Sequence, residues 1–127
     1  MNVQNVPEDL HYTKDHEWVR IVDDVATIGV TDYAQNQLGD IIFIELQDIG
    51  INYKSGDAVG TIEAVKTVAD IYTPIDGELS EINTALEDAP ESINKDPYEK
   101  GWIIKLCNIS NDISDLLTAS DYKKFIQ

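Results

Sequence analysis

Short runs of β-branched and apolar residues, broken by glycines and polar turns, predict strands rather than long helices. Glu17–Val22 and Val25–Val30 form two such runs, and Asp23-Asp24 between them is a short polar turn of the hairpin kind. Residues 40–46 are almost continuously apolar. Ile42, Ile44 and Leu46 have one parity and Ile41 and Phe43 the other, which predicts a central strand buried on both faces. Residues 78–83 resume a strand with Leu79 and Ile82 on opposite parities, so a bulge or irregular edge is expected. Residues 102–108 place Trp102, Ile104 and Leu106 on one apolar face.

The stretch 58–73 organises the rest. Its only charged residues are Glu63, Lys66 and Asp70, and half of its positions are β-branched. Its length exceeds an ordinary strand of about 3–10 residues, so the segment folds back on itself with its midpoint at Val65 and Lys66. Ile62, Val65, Ala69 and Tyr72 also fall at helical spacing. The density of Val, Ile and Thr, flanking glycines and the lack of a capping residue favour the hairpin. Val65-Lys66-Thr67 nevertheless lacks the Asn-Gly or Asp-Gly pair of two-residue loops.

Helical signals are few. Thr31 caps a helix through Leu38, with Asp32 in its first turn and Gly39 past its end. Thr84 and Glu87 have capping-box spacing for a short helix that Pro90 ends. Residues 112–117 and 121–126 read as two short helical pieces, with Lys123 and Lys124 near the negative end of the second. Residues 1–10 are polar and expected to be loosely held at the surface. The fold class is all-β, a sandwich or barrel with short peripheral helices, in a single domain spanning 1–127.

Charge narrows the function. The 127 residues hold 24 acidic and 9 basic side chains, a formal net charge of −15, which repels phosphate backbones and anionic membranes. Neither nucleic acid nor membrane is an expected partner; the acid reads as a solvated surface or as steering toward basic docking faces. No apolar run approaches the eighteen or so residues of a membrane span, and the start has neither signal-peptide nor Arg-rich character, so a cytoplasmic location is expected. Two histidines and Cys107 have no zinc-ligand spacing, and His11, His16 and Cys107 read as ordinary polar or packed residues. Trp18 and Trp102 read as core or rim packing. No nucleophile has a paired base, so an independent enzyme is not expected.

Lys66 at an exposed tip, flanked by uncharged Val65 and Thr67, is an accessible amine suited to acylation; most such lysines only keep a protein soluble. Here a resemblance enters. Glu63-Ala64-Val65-Lys66, followed by Asp70 and Pro74-Ile75-Asp76-Gly77, resembles the lipoyl-lysine segment of glycine cleavage system H proteins. Tyr12-Thr13-Lys14-Asp15-His16-Glu17-Trp18-Val19, Thr31-Asp32-Tyr33-Ala34-Gln35, Leu38-Gly39-Asp40-Ile41, Asp96-Pro97-Tyr98 and Gly101-Trp102 resemble that family in the same order. The family often has Ser where Ala64 stands.

The resemblance implies the barrel-sandwich hybrid fold of lipoyl and biotinyl domains, a protruding lysine hairpin, and lipoate joined through an amide to Lys66. It implies a non-catalytic, monomeric carrier that takes an aminomethyl group from a pyridoxal-phosphate glycine decarboxylase to an aminomethyltransferase using tetrahydrofolate. A dihydrolipoyl dehydrogenase with FAD and NAD reoxidises the arm, and a lipoate ligase or lipoyl transferase installs it. Glu63 and Val65 belong to the recognition hairpin. Glu17 and Asp70 match carboxylates that hold the cationic amine, against simple surface solvation, and Asp15 and Gln37 fall at neighbouring positions of that cleft. Asp15 is a departure from the family's pattern, in which a serine can stand at this position. A mitochondrial member would arrive with a presequence, since removed. Three other readings stay open: a relay donating lipoyl groups to 2-oxoacid dehydrogenase subunits, a biotin carrier, disfavoured by the absence of Met-Lys-Met, and an unmodified acidic interaction module.

Overall fold

The computed structural model describes residues 5–110 and 112–127, and among these nine strands pair in two antiparallel sheets. In chain order they are β1 (His11–Tyr12), β2 (Glu17–Val22), β3 (Val25–Val30), β4 (Ile41–Leu46), β5 (Asn52–Tyr53), β6 (Ala58–Ala64), β7 (Val68–Tyr72), β8 (Gly77–Ile82) and β9 (Ile104–Cys107). One sheet has the order β1-β2-β3-β9-β8-β5 and the other β4-β6-β7. Three short helices, α1 (Asp32–Leu38), α2 (Ser92–Lys95) and α3 (Ala119–Phe125), and a 3-10 turn at Thr84–Glu87 lie at the periphery.

Strand pleating explains the core. Val19, Ile28, Leu79, Ile104 and Leu106 of the larger sheet face Ile44, Ile62 and Ile71 of the smaller, all buried in one apolar layer. A second cluster joins the ends of the described chain to β2. Val6, Leu10, Tyr12, Trp18, Tyr98 and Tyr122 pack there, with the Tyr12 and Tyr122 rings stacked at 4.7 Å. The Trp18 indole N–H donates to the Pro97 carbonyl at 3.0 Å. The Tyr122 hydroxyl lies 2.7 Å from Thr31 Oγ1 and 2.8 Å from His16 Nδ1. Residues 1–10 are expected to be loosely held at the surface; residues 1–4 lie outside the described residues, and in the remainder Val6 and Leu10 are buried instead.

Several expectations hold. The β2–β3 hairpin, α1 with Thr31 capping the Ala34 N–H, and the irregular register of β8 between Leu79 and Glu81 lie where the pattern placed them. Three differ. β4 is an edge strand of its sheet, and its register slips between Ile41 and Phe43. That slip turns Ile41 and Ile44 inward and leaves Ile42 and Phe43 55% and 49% exposed, because the outer face of this sheet is uncovered. The capping box does not form. Asn83 occupies the N-cap without a side-chain bond to the turn, its amide donating instead to the Lys100 and Trp102 carbonyls.

The third difference is at 112–117, which is not helical. Asp112 Oδ1 accepts from the Ser114 N–H and hydroxyl, a local turn that competes with a helix, and Leu117 is drawn into a bridge with Tyr12. The following helix starts at Ala119 with Thr118 as its cap. β9 begins at Ile104, two positions later than its apolar parity suggested; Trp102 precedes it, with Lys105 Nζ 5.0 Å from its ring centroid.

Gly29 marks the tightest contact between β3 and the aromatic cluster. A Cβ there would lie 2.7 Å from three atoms of the buried Trp18 ring, which its bond to Pro97 prevents from yielding. Gly29→Ala is expected to cost about 1–3 kcal/mol of stability, as overpacked cores do. Urea unfolding checks this as a lower midpoint at unchanged slope.

Candidate functional site

β6 and β7 pair from Glu63↔Val68 down to Ala58↔Tyr72, and the Ala64 N–H donating to the Thr67 carbonyl at 2.8 Å closes the tip. Val65 and Lys66 are the loop residues, both exposed. The tip is pinned from a second side. The Val65 N–H donates to the Asp40 carbonyl at 3.0 Å, joining the loop to the turn between α1 and β4.

Asn94 of α2 clamps that turn. Its Nδ2 donates to the Gly39 carbonyl at 2.8 Å and to Gln35 Oε1 at 3.0 Å, while its Oδ1 accepts from the Ile41 N–H at 2.9 Å. Gly39 has φ +81°, and the Lys66 stem lies on it: a Cβ at Gly39 would come 3.1 Å from Lys66 Cε. Among the described residues the amine makes no ion pair. Ion pairs among the described residues are Arg20–Glu99, Lys105–Glu81 and Lys123–Glu8, so no carboxylate lies within 4 Å of Lys66 Nζ.

Beside this turn a cavity of about 160 Å³ opens between the start of β2, α1 and the hairpin. Asp15, Glu17, Gln37 and Asp70 all line it, and Val30, Leu38, Ile62 and Ala69 supply apolar walls. The four residues expected to share a cleft are thus brought together. They differ in kind: Asp15, Gln37 and Asp70 are exposed, whereas Glu17 is only 2% exposed. Its Oε1 accepts from the Thr13 hydroxyl at 2.8 Å and its Oε2 from the Tyr72 N–H at 3.1 Å. Burial pushes the Glu17 carboxyl up to about 7 despite those two bonds, and Asp15 adds to the rise. Simple surface solvation does not describe Glu17. Asp70 Oδ1 has the Thr61 hydroxyl 3.4 Å away.

Thr13, the Tyr72 N–H and Asn94 were missed by sequence reasoning. Thr13 stands four residues before Glu17, a local signal available in principle; Asn94 acts on atoms 53 and 55 residues upstream, and nothing near it in sequence marks it. His16 lines the cavity, and burial lowers its pKa while Nδ1 meets the Tyr122 hydroxyl. Cys107 is half-buried, and no group of three His, Cys, Asp or Glu among the described residues has metal-binding geometry.

A family model described as Glycine cleavage H-protein matches residues 10–127. The chain belongs to the glycine cleavage H-protein family. The Glycine cleavage system H protein of Rubrobacter xylanophilus is 46% identical over 122 residues, covering 96% of this chain and 95% of that relative. The H protein of Listeria innocua is 49% identical over 121 residues, covering 94% and 97%. A crystal structure of a glycine cleavage system H protein from Mycobacterium marinum superposes with a TM-score of 0.85 at 36% identity, covering 94% and 97% of the two chains. The H-protein fold of this chain is the barrel-sandwich fold of lipoyl domains, as its sequence implied. No helix among the described residues is long and apolar enough to cross a membrane.

Glu17 gives the H-protein cleft a pH signature. Its carboxyl titrates near the ordinary 4.5 when unfolded and at about 7 when folded, so its contribution is intact below pH 4.5 and is lost as pH rises through 7. The stability of wild type minus that of Glu17→Gln should fall by about 3 kcal/mol across this window and level off above it. Chemical denaturation of both proteins at a series of pH values checks it, with His16 cancelling in the difference.

Proposed function

We propose that Lys66 is the attachment point of lipoate, and that the neighbouring cleft holds the amine end of what the arm carries. The chain is a lipoyl carrier of the glycine cleavage system, as its family is. The observation that most supports Lys66 is its setting: an exposed amine with no ion pair among the described residues, at a loop anchored on two sides, one residue along from the cleft wall through Gly39 and Leu38. Attachment forms an amide between Nζ and the carboxyl carbon of lipoate activated as its adenylate; AMP leaves, and the amine gives up a proton. When bound, lipoate supplies a redox-active disulfide ring at the end of a flexible arm.

This chain's residues do the rest. Asp40 and Asn94 hold the root of the arm still, so the arm sweeps from a fixed origin and each hand-off is nearly intramolecular. Glu17 and Asp70 present carboxylates to a cationic amine, Asp15 and Gln37 line the mouth, and Val30, Leu38 and Ile62 keep bulk water from it. A cation entering beside Glu17 favours its ionised form, so binding and deprotonation of this buried acid reinforce one another. The chain is a substrate, not a catalyst. It serves glycine decarboxylase, aminomethyltransferase and dihydrolipoyl dehydrogenase in turn, in a bacterial cytoplasm.

Incubation of the protein with a lipoate ligase, ATP and lipoate should give one lipoyl adduct, mapped to Lys66 by peptide fragmentation, and none on Lys66→Arg. An unmodified wild type, with the ligase active on a control domain, overturns the assignment. Glu63→Ala, three residues before the acceptor, is expected to slow modification without unfolding the domain. Glu17→Gln with Asp70→Asn should release ammonia from the loaded arm about tenfold faster or more, since two charge-assisted bonds at about 1.5–3 kcal/mol each are removed. Unchanged release would assign the cleft another purpose.

A further inference from the structure

Large apolar side chains that reach solvent are not spread evenly over this molecule. Among the described residues nine are exposed, and four of them, Ile42, Phe43, Val65 and Val68, surround Lys66. Val65 and Val68 are 71% and 61% exposed. The register explains the grouping. Phe43 lies opposite Glu63 and Glu63 opposite Val68, so the three side chains form one row across the outer face of the β4-β6-β7 sheet. The register slip in β4 adds Ile42, and the loop adds Val65. The fold itself does not need them there: the core is filled from the other face by Ile41, Ile44 and Ile62.

Acidic groups rim this row. Glu63 sits at its middle, Asp40 at the pinned turn, and Glu45 in the next cross-strand row beside Thr61. We propose that this apolar row with its acidic rim is the surface on which the lipoate-attaching enzyme docks, through a complementary apolar face edged with basic side chains. The inference rests on Lys66 being the acceptor. Reach selects this occupant over the other partners. Before modification only the lysine side chain, about 6 Å from Cα to Nζ by ordinary bond lengths, separates backbone from reaction centre. An enzyme that brings activated lipoate to Nζ therefore has to settle on the residues around the tip. Enzymes acting on the far end of the finished arm stand off by the arm's length and are free to dock elsewhere. Burying several large apolar side chains also provides the affinity that a loop of two residues lacks.

The test uses the full chain in its unmodified form with a lipoate ligase, ATP and lipoate, following initial rates by intact mass. Phe43→Thr and Val68→Thr keep β-propensity while removing exposed apolar surface, and Phe43→Leu restores it. Val22→Thr with Val25→Thr removes exposed apolar surface from the other sheet. KM for the protein is expected to rise about tenfold in each row variant with little change in kcat, to recover in Phe43→Leu, and to stay at the wild-type value in the Val22/Val25 variant. Added salt should raise KM for wild type, as an acidic rim facing basic side chains requires. Wild-type KM in both row variants, with Lys66 modified normally, overturns the docking surface and leaves the carrier reading intact. Normal lipoylation combined with slowed glycine decarboxylase turnover of the modified row variants assigns the surface to that enzyme and also overturns the proposal. Wild type that takes no adduct overturns the acceptor assignment first. Should Phe43→Thr fail to fold by circular dichroism, Val65→Thr and Val68→Thr give the same reading from the hairpin alone.

Discussion

A single backbone hydrogen bond, from the Val65 N–H to the Asp40 carbonyl, sets the geometry on which the candidate site depends. A two-stranded hairpin that protrudes from a sheet has little to order its tip except its own closing bond, and holding each backbone residue in one conformation costs about 1–2 kcal/mol of entropy. The Val65–Asp40 bond spreads that cost over a second element. It succeeds because the turn at 39–41 is itself fixed, by the left-handed Gly39 and by Asn94, which satisfies a carbonyl and an N–H of that turn at once. Lys66 is consequently both exposed and well placed, two properties that usually oppose each other.

The aromatic cluster has a matching function on the other side of the cleft. Tyr12, Trp18, Tyr98 and Tyr122 fasten the approach to β2 between the first and last described segments, and His16, with φ +67°, enters that strand through the left-handed region. A non-glycine residue there carries backbone strain of about 1–3 kcal/mol, tolerated where surrounding contacts over-determine it. Bonds to Thr13 and Thr31 on the backbone and to Tyr122 on the ring do so here. The next residue is Glu17, whose burial is thus maintained by packing remote from the cleft.

Most strands, α1 and the lysine hairpin were legible because their signals are local: alternation, a cap, a glycine stop. β4 was misplaced as a central strand because periodicity records which residues are apolar, not which faces are covered, and one slipped pairing sends Ile42 and Phe43 outward. Residues 112–117 failed for a related reason, since the pairing of Leu117 with Tyr12 is a contact across the whole chain. For the site, Lys66 and the four cleft positions came from motif resemblance rather than from spacing. The burial of Glu17, and the clamp made by Asn94, are products of tertiary packing that no window of sequence contains.

The bond between Glu17 and the Tyr72 N–H has a consequence for how the protein keeps company with copies of itself. β7 ends its sheet on that side, and an open edge offers unpaired donors on which another chain could build. Tyr72 has its donor filled by a side chain already buried within the same molecule. A carboxyl group that faces the cleft thus also fills one rung of the ladder, leaving one donor fewer at the base of the projecting hairpin for another chain to pair with.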